Sequence, residues 1–166
     1  MRHLRKFIKF ESMLQKNNPK DVKEAFAPYI NKGVINLIEA AFLDYEDEYW
    51  KCQLWVKAPW RSDSFDVIYS NLDGWSNEMI FRTDDILKKF KQYYKRNKRK
   101  NAIRYYIVIS KDNEDNLSGN ETVMMNIEKI RIIRNILHRV DAIYEIYDIE
   151  YGKFYVDFKI GDKKPV

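Results

Sequence analysis

The chain has 166 residues, a 33% charged and 45% hydrophobic composition, and a formal net charge of +5. That length predicts one domain with a real core, and 15% aromatic residues place it away from disordered chains. No apolar run reaches the ~18–20 residues of a membrane span, and Cys52 is the only cysteine, so an intrachain disulfide is excluded. The N-terminus opens on basic residues but lacks the continuous apolar stretch of a secretory signal. A reducing, cytoplasmic setting is expected.

In chain order, Leu4, Phe7, Ile8 and Leu14 recur at helical spacing, with Arg2, Arg5, Lys6 and Lys9 opposite. Asn18-Pro19 reads as the start of a second helix that ends near Pro28. A third is expected from about Tyr29 to Leu43, carrying Ile30, Val34, Leu37, Ile38 and Ala41.

The period then changes. Tyr49 to Lys57 and Phe65 to Ser70 are rich in aromatic and β-branched residues, which predicts strands separated by a turn over Pro59 to Ser64. Asp73-Gly74 signals a hairpin into Trp75 to Phe81. Thr83 caps a helix with Asp84 and Asp85 in its first turn and Ile86, Phe90, Tyr93 and Tyr94 on its apolar side.

Ile103 to Ser110 reads as a buried strand. The segment Ser118-Gly119-Asn120-Glu121 fits a capping box opening a helix to about Val140, with Ile127, Ile130, Ile133 and Leu137 facing the sheet. In the closing hairpin, Phe154, Val156, Phe158 and Ile160 alternate with Lys153, Tyr155, Asp157 and Lys159, which predicts one buried and one wet face. The expectation is a single α+β domain over residues 1–166. Residues 1–43 are its helical part, and 44–166 form a mainly antiparallel sheet of about five or six strands with two further helices. The helices pack on one face.

Between Lys88 and Arg104 lie nine basic residues and no acidic one, whereas the other 149 residues hold 21 Lys and Arg against 25 Asp and Glu. Projected on a helix, Lys88, Lys91, Lys95, Arg96, Lys98 and Arg99 point away from the apolar side. Together with Lys100, Arg104 and Tyr94 they form the candidate binding site. Cations at that density can neutralise phosphates, and Tyr93, Tyr94 and Tyr105 can stack on unpaired bases if exposed. The same pattern suits a solvated helix with basic residues near its C-terminal end, although the dipole alone calls for two or three of them.

Acidic residues offer the route to an enzyme. Asp44, Glu46, Asp47 and Glu48 cluster before the first strand, and Asp63, Asp66, Asp73 and Glu78 lie on or near the meander; converging carboxylates can hold Mg²⁺. The order helix, three strands, helix, strand from Tyr29 to Ser110 is similar to the core of PD-(D/E)XK nucleases. The resemblance stops at topology: on the strand after the metal-binding Asp the family needs an acidic residue, one intervening residue and then Lys, whereas Glu78 is followed by Met79 and Ile80, and the step from Glu48 to Lys51 is one residue too wide.

Other chemistry is poorly supplied. His3 and His138 stand in no zinc-ligand spacing, and Cys52 falls in a strand. The five glycines form neither a Walker loop nor a dinucleotide fingerprint, and Leu117 and Val123 occupy the glycine and closing glutamate positions of a calcium loop begun at Asp112. No cofactor is expected.

The function these residues suggest is that of a small non-catalytic binding protein engaging nucleic acid, or an acidic protein surface, through the basic helix. The alternatives are an inhibitor, immunity or anti-defence protein that blocks a target enzyme, and a metal-dependent nuclease.

Overall fold

In the computed structural model, residues 22–61, 63–72, 83–97, 102–112, 114–152 and 155–166 are described. The expected first helix, the Asn18 cap, the strand Trp75 to Phe81 and its Asp73-Gly74 turn lie outside them. A short helix α1 (Val22–Ala25) precedes α2 (Lys32–Glu46), and then come strands β1 (Trp50–Arg61) and β2 (Ser64–Ser70). Helix α3 (Thr83–Asn97) leads to β3 (Arg104–Lys111), and α4 (Gly119–Asp141) to the hairpin of β4 (Tyr144–Tyr151) and β5 (Tyr155–Lys163). The five strands form one antiparallel sheet in the order β2-β1-β3-β5-β4.

Sequence chemistry sets the starts of two helices. The Glu121 N–H donates to the Ser118 hydroxyl at 3.3 Å and the Ser118 N–H to the Glu121 carboxylate at 3.2 Å, closing the expected capping box. Helix α2 starts at Lys32, later than Tyr29, because Asn31 is its cap: the Asn31 side chain accepts from the Val34 N–H at 3.1 Å. Tyr29 is instead taken up by packing on Phe90, with ring centroids 5.0 Å apart.

Strand β1 extends past the expected turn at Pro59 and ends at Arg61, so the connection to β2 is shorter. Where β2 stops, the Asn71 side chain continues the ladder, accepting from the Leu54 N–H at 2.9 Å and donating to the Cys52 carbonyl at 3.0 Å.

One face of the sheet carries the core. Cys52, Leu54 and Val56 pair with Ile109, Ile107 and Tyr105, which continue into Val156 and Phe158, and all are buried. Helices α2, α3 and α4 cover this face through Ile38, Phe42, Ile86, Phe90, Ile136 and Val140, each 1% exposed or less. Fully burying a residue of this kind is worth about 1.5–3 kcal/mol.

Helix α4 departs from expectation at its N-terminal half. Ile133 and Leu137 are buried, but Ile127 and Ile130 are each 47% exposed and lie beside exposed Val123 and Met124. Met125 and Lys129 of the same turns are buried, so the helix packs along this part too, and Ile127 and Ile130 project from the side turned away from the buried stripe.

The other face carries alternate residues: Gln53, Trp55 and Lys57 of β1; Arg104, Tyr106 and Val108 of β3; Tyr155, Asp157 and Lys159 of β5. It was expected to be wet. Asp157, however, is 2% exposed, because Arg104 and its neighbours close over it. An irregularity in β4 contributes: the register shifts between Tyr147 and Glu150, and Asp148 has a φ of 50°.

Candidate functional site

Helix α3 divides into two sides, as its sequence requires. Ile86 and Phe90 are buried, and Phe90 sits in an aromatic cluster 5.5 Å from Phe26 and 5.8 Å from Tyr94. On the opposite side Lys88, Lys91, Lys95 and Arg96 are all exposed, and among the described residues none of the four enters an ion pair. Lys89 is engaged differently, with its ammonium 3.0 Å from the Asp85 carboxylate and 4.9 Å from the Trp60 ring centroid. Lys98, Arg99 and Lys100 lie outside the described residues.

Two residues of the expected site are elsewhere. Tyr94 faces inward, packing on Phe90 and Tyr29, so its ring belongs to the core rim and not to the basic face. Arg104 is 7% exposed on β3, where its side chain turns onto the open sheet face. There it hydrogen-bonds to the Asp157 carboxylate, donates to the Asp148 carbonyl at 2.7 Å, and lies 3.9 Å from Glu150. A cation that deep in a strand needs a counter-charge, and Asp157 supplies it. Tyr105 is equally remote from solvent: its hydroxyl accepts from the Asn31 N–H at 2.9 Å, and burial pushes its pKa up to about 12.

Around Arg104 the structure brings together residues that sequence reasoning left apart. A cleft of about 390 Å³ opens where the C-terminal part of α3 meets the sheet face. Phe65, Tyr93 and Tyr106 supply aromatic walls, Arg104 and Lys159 donors, and Asp148 and Glu150 acceptors. Lys159 pairs with Asp148 at 3.0 Å. The Lys57 ammonium sits 4.2 Å from the Tyr106 ring centroid, and the rings of Tyr106 and Tyr155 are 5.6 Å apart.

Burial governs the ionisation here. It raises the Asp157 pKa despite the lowering influence of Arg104, and it raises that of Tyr106, with Asp157 adding to the shift. It lowers that of Lys57 against the pull of Asp157. The available signal was parity: Tyr155, Asp157 and Lys159 share a face, and an Arg beginning a strand as apolar as 103–110 requires a partner.

The carboxylates behave otherwise. Asp44 pairs with Arg139 at 2.6 Å, Glu46 at the end of α2 and Asp47 and Glu48 in the turn after it are exposed, and Asp66 sits on β2 opposite Ala58. Asp73 and Glu78 lie outside the described residues, among which no group of three or more His, Cys, Asp and Glu side chains could hold a metal. Cys52 is buried in β1, and burial, reinforced by Glu46, pushes its thiol up to about 12, far from a nucleophile's range. His138 is exposed in the last turn of α4. Among the described residues no helix is long and apolar enough to cross a membrane.

No family model, no curated protein and no solved structure matches the chain.

Proposed function

We propose that this is a non-catalytic binding protein that holds nucleic acid through phosphate contacts on the outward side of α3. One observation carries the reading: Lys88, Lys91, Lys95 and Arg96 are exposed together, without ion pairs among the described residues, on a helix whose other side is fixed in the core. Unpaired cations held at fixed spacing neutralise phosphates and release their counterions, and little ordering entropy is lost because the helix is already docked. Asp84 and Asp85 favour the helix N-terminus; Asp85 pairs with Lys89, and Asp84 is the one carboxylate beside Lys88, leaving the four cations in excess on this side.

The test is retention of duplex and single-stranded oligonucleotides at ~50 mM salt, for the wild type and for a Lys88→Glu, Lys91→Glu, Lys95→Glu, Arg96→Glu variant. Wild-type retention should weaken steeply with salt and vanish in the variant, which keeps its thermal transition. An unretained wild type sinks the proposal, as does a variant that binds like wild type. Capture of an acidic protein in place of nucleic acid assigns the surface to that partner.

A second reading, a protein-directed inhibitor, is favoured by the turn after α2. There Asp47 and Glu48 are exposed beside Glu46, the last residue of the helix, and Tyr49 projects with 84% exposure at a φ of 70°. An exposed aromatic that follows three acidic residues in the chain suits a basic protein surface. It predicts a stoichiometric protein partner that survives nuclease treatment and is lost on Tyr49→Ala.

A further inference from the structure

We infer that the cleft between α3 and the open sheet face receives an unpaired base, so that the nucleic acid recognised is single-stranded; this rests on the nucleic-acid reading of α3. The cleft and the helix offer different chemistry. The outward side of α3 sets four cations, Lys88, Lys91, Lys95 and Arg96, against a single carboxylate, Asp84, at its start, and suits phosphate. The cleft carries both signs, Arg104 and Lys159 with Asp148 and Glu150, so a phosphate placed there meets carboxylates at once. A flat group whose edge both donates and accepts hydrogen bonds meets no such penalty.

The walls select for the same group. Phe65, Tyr93 and Tyr106 line the cleft from three separate elements, β2, α3 and β3, and aromatic rings of this kind stack on bases whatever their sequence. Its volume of about 390 Å³ lies within the usual range for small-ligand sites. The supporting wall is rigid, because Tyr106 is braced by Tyr155 and by the Lys57 ammonium.

The two surfaces are also continuous. Tyr93 belongs to α3, and Arg96 follows it at i+3, so the exposed guanidinium lies on the same flank of the helix one turn on. A strand whose phosphates run along α3 can therefore turn a base into the cleft. A duplex cannot do so without breaking a pair, because its bases are stacked inside.

The experiment compares a single strand of about 12 mixed nucleotides with the duplex of equal length, at one salt concentration, for the wild type and two cleft variants. Single strand should bind at least ~10-fold more tightly than duplex. Tyr106→Leu and Phe65→Ser should each weaken it by roughly 5- to 150-fold while leaving duplex binding unchanged. Phe65 is 36% exposed on β2, at one edge of the sheet among the described strands, so Phe65→Ser decides alone if Tyr106→Leu fails to fold. Equal binding of strand and duplex overturns the inference and leaves the α3 reading standing, and so do folded cleft variants that bind single strand like wild type. Retention of neither form overturns both.

Discussion

Arg104 and Asp157 form a buried ion pair between β3 and β5, with side chains 9% and 3% exposed, on the face of the sheet opposite the one that α2, α3 and α4 cover. The pair is enclosed by its own neighbours: the Asp148 carbonyl accepts from the guanidinium, and Tyr106 lies opposite Asp157 in the β3–β5 register.

Replacing Arg104 with Met leaves Asp157 charged and without a counter-ion, which should cost about 3–5 kcal/mol at neutral pH by chemical denaturation. The sign of its pH dependence is fixed. Burial already holds the Asp157 pKa above its ordinary value, and loss of Arg104 removes the main influence lowering it. The ionised form is then the costly one, so the penalty is full above the folded pKa and shrinks as pH falls through it. Arg104→Met combined with Asp157→Leu should recover most of the loss at every pH.

Phe90 anchors α3 through Phe26, Tyr29 and Tyr94, so Phe90→Ala should cost about 3–5 kcal/mol and lower the thermal transition. Charge changes at Lys88 or Lys91, on the other side of the same helix, should each stay within about 0.5 kcal/mol. A large loss from the lysine changes would mean that the two sides are not independent.

Cys52 should resist iodoacetamide at pH 8 in the folded protein and react at the rate of unfolding, because its thiol is buried and its pKa is pushed up to about 12. Mass spectrometry of a timed alkylation reads this directly. Rapid labelling under native conditions would place the thiol at an accessible surface.

Ile127→Lys should change stability by less than about 0.5 kcal/mol, whereas Ile136→Ala, nine residues on in the same helix, should cost about 2–5 kcal/mol. Equilibrium urea unfolding of the two variants distinguishes an exposed apolar position from a buried one of the same residue type.

That contrast marks where the sequence was legible. Local chemistry was readable: the Ser118–Glu121 box, the acidic start of α3 and its two-sided pattern, and the alternation of β5 all follow from spacing within one element. The α+β architecture followed from where the period changes. What could not be read depends on partners distant in the chain. Asp157 shares parity with Tyr155 and Lys159, and only Arg104, 53 residues away, makes it a buried residue. Apolar residues occupy most of the girth of α4, so its sequence does not show which side is covered, and only the packing against the sheet and α2 buries Ile133 and leaves Ile127 outside. Tyr94 was readable as apolar or as stacking, and the placement of Tyr29 and Phe90 decides for the first.

The broken pairing of β4 has a consequence for behaviour at high concentration. Among the described strands β4 forms one rim of the sheet; it carries exposed Glu145, Asp148 and Glu150, and its ladder is interrupted where Asp148 adopts a left-handed conformation. A rim that is bent and acidic is a poor template for another molecule's strand, since each added chain would bring like charges into line and miss hydrogen bonds at the irregularity. Turbidity on heating should therefore lag behind the loss of secondary structure: folded molecules stay apart, and aggregation begins from chains that have already lost this rim.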